Sequence, residues 1–163
     1  MNYATVKPLD IANGPGVRVS LFVSGCRRYC RGCFNKEAWD FTYGSPFTIR
    51  TLLEIDDALE NDAINGLSIL GGDPFEPENR EIIAAICEYI KFKHRDKNIW
   101  CWTGYLWEDI KDLDIVSHID VLVDGPFMED LKDLRLKWRG SSNQRVIDVV
   151  ASSKTGEVVL LEE

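Results

Sequence analysis

Three cysteines fall within eight residues, in Cys26-Arg27-Arg28-Tyr29-Cys30-Arg31-Gly32-Cys33, directly after the apolar run from Val17 to Val23. Three thiolates on one short connection can hold three corners of a cubane iron-sulfur cluster. The spacing, three residues and then two, leaves the fourth iron without a protein ligand in the loop, and an iron with an open position can bind a substrate. Tetrahedral zinc is the first rival, with Cys87, Cys101, His94 or His118 as a fourth ligand. Structural zinc sites favour two ligand pairs in separate knuckles, whereas here three ligands cluster and no second pair stands elsewhere in the chain. A redox Cys-x-x-Cys built on Cys30 and Cys33 would open no clear helix and would leave Cys26 unexplained. The spacing therefore favours the cluster, with zinc second.

Such a loop has to be carried by something rigid. Val17 to Val23 is rich in β-branched and large apolar residues and stops at Ser24-Gly25, which predicts a strand entering the cysteine loop. From Thr48, a plausible N-cap, to Leu59 the apolar residues approximate a helical stripe. Leu67 to Leu70 predicts a short strand stopped by Gly71-Gly72-Asp73-Pro74, and Ile82, Ile83, Ile86, Tyr89 and Ile90 predict one face of a helix over 79–92. A strand over Ile99–Trp102 ends at Thr103-Gly104, a short helical stretch covers 106–111, and a fourth strand over Ile119–Val123 ends at Asp124-Gly125-Pro126. The run Val146 to Val150 is a fifth apolar segment, and Val158 to Leu161 offers a last edge strand. Strands alternating with helices predict an α/β fold with a largely parallel sheet. A full eight-unit barrel typically needs about 250 residues, so four or five units predict an open or partial (βα) barrel. Ligand sites in parallel α/β folds form at the carboxyl ends of the strands, which places all four loops on one rim.

With 163 residues, 45% of them hydrophobic, the chain suits a single domain over 1–163. It carries 19 basic and 27 acidic residues, a formal charge of −8, which is unfavourable for a phosphate backbone and argues against nucleic acid. No apolar run approaches the roughly 18 residues needed to cross a bilayer, and no leader is evident at the start, so a cytoplasmic, membrane-free protein is expected. Five cysteines is an odd count with no mark of secretion, which speaks against a disulfide framework. Cys87 and Cys101 sit in apolar patterns and are expected to be buried packing residues. His94 falls near a helix end and His118 before a strand, and both take structural roles in this reading.

The cysteine loop resembles the signature of the radical S-adenosylmethionine superfamily, whose three cysteines at this spacing bind a 4Fe-4S cluster. Gly71-Gly72-Asp73-Pro74 is similar to that superfamily's Gly-Gly-Glu-Pro turn, where backbone groups meet the methionyl ammonium. Glycines let a backbone approach a ligand closely, and a carboxylate suits a nearby cation. Asn13 to Arg18, Cys33-Phe34-Asn35, Val121 to Phe127 and Arg139 to Arg145 resemble the branch that activates the anaerobic, class III ribonucleotide reductase. The resemblance runs from about Gly14 to Val149.

It implies that Cys26, Cys30 and Cys33 ligate the cluster and that S-adenosylmethionine chelates its open iron. Gly32, Cys33, Phe34, Gly71, Gly72 and Asp73 would line the cofactor site, with Asp124 and Asn143 as further candidates. The implied reaction cleaves the sulfonium with one electron and sends a 5′-deoxyadenosyl radical to a glycine on the large subunit of the reductase. A reduced flavodoxin-like protein is the implied electron donor. The wider superfamily usually places an aromatic residue before the third cysteine; here Gly32 precedes it and Phe34 follows, as in the reductase-activating branch. Asn13 stands where that branch often has Asp, and Arg28 where it often has His. No second cysteine-rich insert for further clusters is present, which disfavours activators of larger glycyl radical enzymes. Two alternatives remain at this point: an activator of another glycyl radical enzyme, and a zinc-binding interaction module without catalysis.

Overall fold

Apolar side chains at every second position of Val17–Val23 require a cover on one side of the strand, and that requirement organises the fold. A computed structural model describes residues 1–161. In chain order its elements are β1 (Asn2–Asp10), β2 (Val17–Val23), β3 (Ser45–Pro46), α1 (Ile49–Leu59), β4 (Ile64–Gly71), α2 (Pro77–Lys93), β5 (Asn98–Trp102), α3 (Trp107–Ile110), β6 (Val121–Asp124), β7 (Arg145–Asp148) and α4 (Val149–Thr155). The seven strands form one sheet in the order β3-β1-β2-β4-β5-β6-β7. β2, β4, β5 and β6 are mutually parallel, while β1, β3 and β7 pair antiparallel at the two ends. The end strands β3 and β7 are not hydrogen-bonded to each other, so the sheet is open. The expected α/β class with a parallel centre is present.

Side chains of a strand alternate between faces. Val19, Leu21, Val23, Leu67, Ile69, Ile99, Cys101, Leu122 and Ile147 point to one face and are fully buried against Ile55 and Leu59 of α1 and Ile83, Ile86, Cys87 and Ile90 of α2. Each such side chain contributes roughly 1.5–3 kcal/mol on leaving water. The intervening positions build a different face. Trp100, Val121, Val123 and Val146 form a second, smaller cluster that Trp138 covers. Beside it lie buried polar residues, Arg18, Ser20 and Ser68. Arg18 donates from Nε to Ser68 Oγ at 2.6 Å and from Nη2 to the Leu67 carbonyl at 2.9 Å, and it lies over the Trp100 ring. Ser68 in turn donates to the Asn13 carbonyl at 2.6 Å, which fixes the loop between β1 and β2.

Several boundaries differ from the sequence expectation, each for a local reason. The fourth strand begins at Val121 rather than Ile119, because a 3-10 turn over Asp114–His118 precedes it and Asp120 bonds sideways: its carboxylate accepts from the Ile99 amide at 2.7 Å. Val149 and Val150 leave the strand and open α4, since the Asp148 side chain caps that helix by accepting from the Ala151 amide at 2.9 Å. Val158 to Leu161 makes only one antiparallel bridge, Ile147 with Leu160, instead of a strand. β1 was not expected at all. Its nine residues include Pro8 and are largely exposed or half-buried, so no apolar alternation announces them. Among the described residues no helix is long and apolar enough to cross a membrane.

Candidate functional site

The carboxyl ends of β2, β4 and β5 meet at one cavity of about 430 Å³, within the range of small-molecule sites, roughly 300–1,000 Å³. Cys26, Cys30 and Cys33 all line it, and so do Gly71, Gly72 and Asp73. The cysteine loop and the glycine turn are joined along their backbones. Gly72 N–H donates to the Val23 carbonyl at 2.7 Å and Asp73 N–H to the Gly25 carbonyl at 2.8 Å. Only glycine suits the second position, since a Cβ on Gly72 would stand 2.6 Å from the Gly25 carbonyl oxygen. Gly71 has a φ of +112°, a region that side-chain-bearing residues rarely enter.

Two buried residues that the sequence reading passed over complete the clamp. Glu76 accepts from the Arg27 amide at 2.7 Å and from Arg27 Nη1 at 2.8 Å. Asn79 donates from Nδ2 to the carbonyls of Ser24 and Asp73, both at 3.0 Å. No local signal marks them: they stand at the start of the second long helix, yet Glu76 makes no side-chain cap there and both turn to the loops before the helix. The cysteine loop is thus held from behind by α2 as well as by the strand that feeds it.

Asp73 stands in the cavity wall, and its carboxylate is engaged within the protein. It is 1% exposed, with Oδ1 accepting from the Phe75 amide and Thr103 Oγ1 and Oδ2 from the Gly104 amide, so it ties the end of β4 to the end of β5. Burial pushes its pKa up to about 6, although the three donors act the other way. Asp124 is fully buried and lies outside the cavity wall. It accepts from the Trp107 amide at 2.8 Å and from Arg145, and so binds the end of β6 to α3 and β7. Asn143 also lies behind the wall, donating to the Pro126 carbonyl at 2.8 Å, while its Oδ1 is buried with no partner. Its neighbour Gln144 does reach the cavity and accepts from the amides of Gly140 and Ser141. Gly32 sits on the outer side of the loop with φ +75°, where a Cβ would meet the Glu129 carboxylate at 2.8 Å. Phe34 is in the wall and 97% exposed.

The donor set fits an iron-sulfur cluster. Cys26, Cys30 and Cys33 share one cavity, and three thiolates can hold three corners of a cubane cluster while its fourth iron faces the open space. All five cysteines are free. Burial pushes the Cys26 thiol up to about 12, and the nearby Asp73, Glu76 and Cys30 act in the same direction. Positive charge from iron would offset that cluster of negative charge. Cys87 and Cys101 are fully buried on the helix-covered face, as expected, and lie away from the cavity. His94 pairs with Asp56 at 2.6 Å beside α1, and His118 lies at the end of a 3-10 turn, so neither histidine joins the site.

A loop with three open thiols, backed by a parallel sheet, describes an iron-sulfur domain, and a family model for a 4Fe-4S single cluster domain matches residues 12–147. Relatives are more specific. The chain is 44% identical over 146 residues to the anaerobic ribonucleoside-triphosphate reductase-activating protein of Enterobacteria phage T4, covering 90% of this chain and 93% of that one. It is 45% identical over 150 residues to the protein of the same name from Escherichia coli K12, covering 90% and 97%, and 41% identical over 148 residues to that from Vibrio cholerae, covering 88% and 96%. The chain belongs to the family of anaerobic ribonucleoside-triphosphate reductase-activating proteins.

Proposed function

We propose that this protein is a radical S-adenosylmethionine enzyme, an oxidoreductase that generates a glycyl radical on the large subunit of the anaerobic ribonucleotide reductase. The observation that carries this reading is the convergence of Cys26, Cys30, Cys33 and the Gly71-Gly72 turn on one cavity at the carboxyl ends of adjacent parallel strands. Cys26, Cys30 and Cys33 would hold a 4Fe-4S cluster, and Gly71, Gly72, Asp73 and Phe34 in the cavity wall would surround S-adenosylmethionine, with Gly32 shaping the loop from its outer side. When bound, a reduced cluster would supply the electron that cleaves the sulfonium, and S-adenosylmethionine the 5′-deoxyadenosyl group that takes a hydrogen atom from the target glycine.

The chain's own part is positional. Gly71 and Gly72 bring backbone to the cavity without side chains in the way, and Asp73 fixes the turn against Thr103 and Gly104. Asp124 and Asn143 act from behind the wall, fastening β6 and the 140–145 turn. The chemistry moves a hydrogen atom, so no catalytic base is required. The open sheet with four central parallel strands is read as the partial barrel of this superfamily, and residues 1–163 as one cytoplasmic domain reduced by a flavodoxin-like donor.

Anaerobic reconstitution should give close to four irons and four sulfides per chain. Dithionite and S-adenosylmethionine should then yield 5′-deoxyadenosine and, with the reductase present, a glycyl radical signal in electron paramagnetic resonance. Zinc without sulfide would sink the reading, as would a reconstituted protein that produces no radical on the reductase. A radical that forms only on a different glycyl radical enzyme would move the assignment to that enzyme.

A further inference from the structure

The most exposed apolar side chains of the described residues are not scattered. Phe34 is 97% exposed, Leu134 88% and Ile11 80%, and they come from three separate segments around the same cavity. Phe34 and Leu134 stand in its wall, and Ile11 adjoins Ala12, which does too. Exposed apolar groups gathered at one place mark a contact surface, whereas single ones are ordinary.

Charge divides along the same line. Residues 26–37 and 128–140 carry eight basic against four acidic side chains, whereas the remainder carries eleven against twenty-three. Within them Glu129 pairs with Arg31 at 2.9 Å, which joins the two stretches, and Asp133 with Arg135 at 2.8 Å, while Arg27 pairs with Glu76 and Glu78 just outside; Arg28, Lys36, Lys132 and Lys137 have no carboxylate partner among the described residues. The mouth of the cavity is therefore basic on a strongly acidic protein. From Leu131 to Arg139 the chain is irregular and alternates leucines with Lys132, Arg135 and Lys137, all three exposed. Neither helix periodicity nor burial explains that alternation.

We infer that this basic, apolar-studded collar is the docking surface for the substrate polypeptide, and that it seats an acidic surface with apolar contacts flanking the target glycine loop of the reductase. The inference rests on the reading above and adds the chemistry of the contact. A polypeptide must enter through this mouth to bring one of its α-carbons to the cavity, so the occupant of the collar is the substrate rather than the electron donor. Electrostatic complementarity of this kind sets encounter rate and orientation, while central apolar contacts slow dissociation.

The test measures the dissociation constant between the cluster-loaded protein and the reductase under anaerobic conditions. The triple variant Lys132→Glu, Arg135→Glu, Lys137→Glu should bind about tenfold or more weakly, and raising salt from about 50 to 300 mM should weaken the wild type several-fold and the variant little. Ile11→Ser and Leu134→Ser should each weaken binding at all salt concentrations. The charge variant should still form 5′-deoxyadenosine without reductase at the wild-type rate, because none of its three positions lies in the cavity wall. Binding unchanged within twofold in the charge variant, or a wild-type affinity indifferent to salt, overturns the collar. So does a defect confined to reduction by a flavoprotein and absent with dithionite, which would assign the surface to the electron donor. The salt titration needs no variant and stands even if one misfolds. Radical formation by the wild type is read separately: its absence would sink the enzymatic reading, while the affinities still decide the collar.

Discussion

The five cysteines divide between two regions that treat the same side chain in opposite ways. Cys87 and Cys101 lie in the core between the sheet and α2, fully buried, and desolvation raises both thiols above their ordinary pKa. Cys26, Cys30 and Cys33 lie on the rim, half-buried in the wall of a cavity. In the core, the thiol is a small apolar group filling space. On the rim, backbone hydrogen bonds and the Glu76 and Asn79 clamps hold the loop, leaving the sulfurs free to be ligands. Reactivity here follows from what supports the backbone, since both regions bury thiols to a large degree.

The largest expected break in that contrast comes from the rim. Replacing Cys26, Cys30 or Cys33 with Ala should abolish cluster binding, read as iron and sulfide per chain, and bring 5′-deoxyadenosine formation to background, while thermal unfolding of the apo-protein stays near that of the wild type. Cys87→Ala should do the reverse, keeping the iron and lowering stability by about 1–3 kcal/mol in urea unfolding. If a core cysteine variant loses its iron, the division is wrong.

Leu67→Ala or Ile69→Ala, on the same strand that ends in the glycine turn, should lower stability by about 2–5 kcal/mol, because each leaves a cavity against the helices. Glu76→Gln sits between the two regions. Losing the charge opposite Arg27 should lower stability by about 1.5–3 kcal/mol, and it should speed iron loss to a chelator more than Leu67→Ala does. Equal rates of iron loss would mean that the clamp acts only through global stability.

The smallest effects concern two buried carboxylates. Desolvation tends to raise the pKa of Asp56, but hydrogen bonds from Lys93 and His94 outweigh it and hold the group below its usual 3.8. That contribution is present above pH 3.8 and is lost as pH falls through the folded value. Asp73 behaves oppositely: with a folded pKa pushed up to about 6, the fold binds its proton more tightly than the unfolded chain, so stability falls as pH rises from 3.8 to about 6. Unfolding midpoints across pH 3 to 8 should show Asp56→Asn flattening the acid limb and Asp73→Asn removing the decline between pH 4 and 6. The same sign in both variants would contradict this assignment.

Most of the fold was legible because β2, β4, β5 and the two long helices announce themselves by period and stop signals. β1 was not, since an exposed antiparallel strand with a proline has no apolar face to betray it. α4 was hidden inside a continuous apolar run, and only the capping geometry of Asp148 reveals where strand becomes helix. For the site, the three cysteines and the glycine turn could be read directly, because ligand spacing and a missing Cβ are local properties. Asp124 and Asn143 could not, because whether a polar side chain faces a cavity or holds its wall depends on partners 17 to 21 residues away, namely Trp107, Arg145 and Pro126.

The Gly72 and Asp73 amides that bond back to Val23 and Gly25 draw entirely on protein groups. The pocket's rear wall is therefore woven from backbone, and side-chain changes on the two strand ends alter what faces the cavity without moving the wall; only a change at Gly71 or Gly72, where no Cβ fits, would displace it.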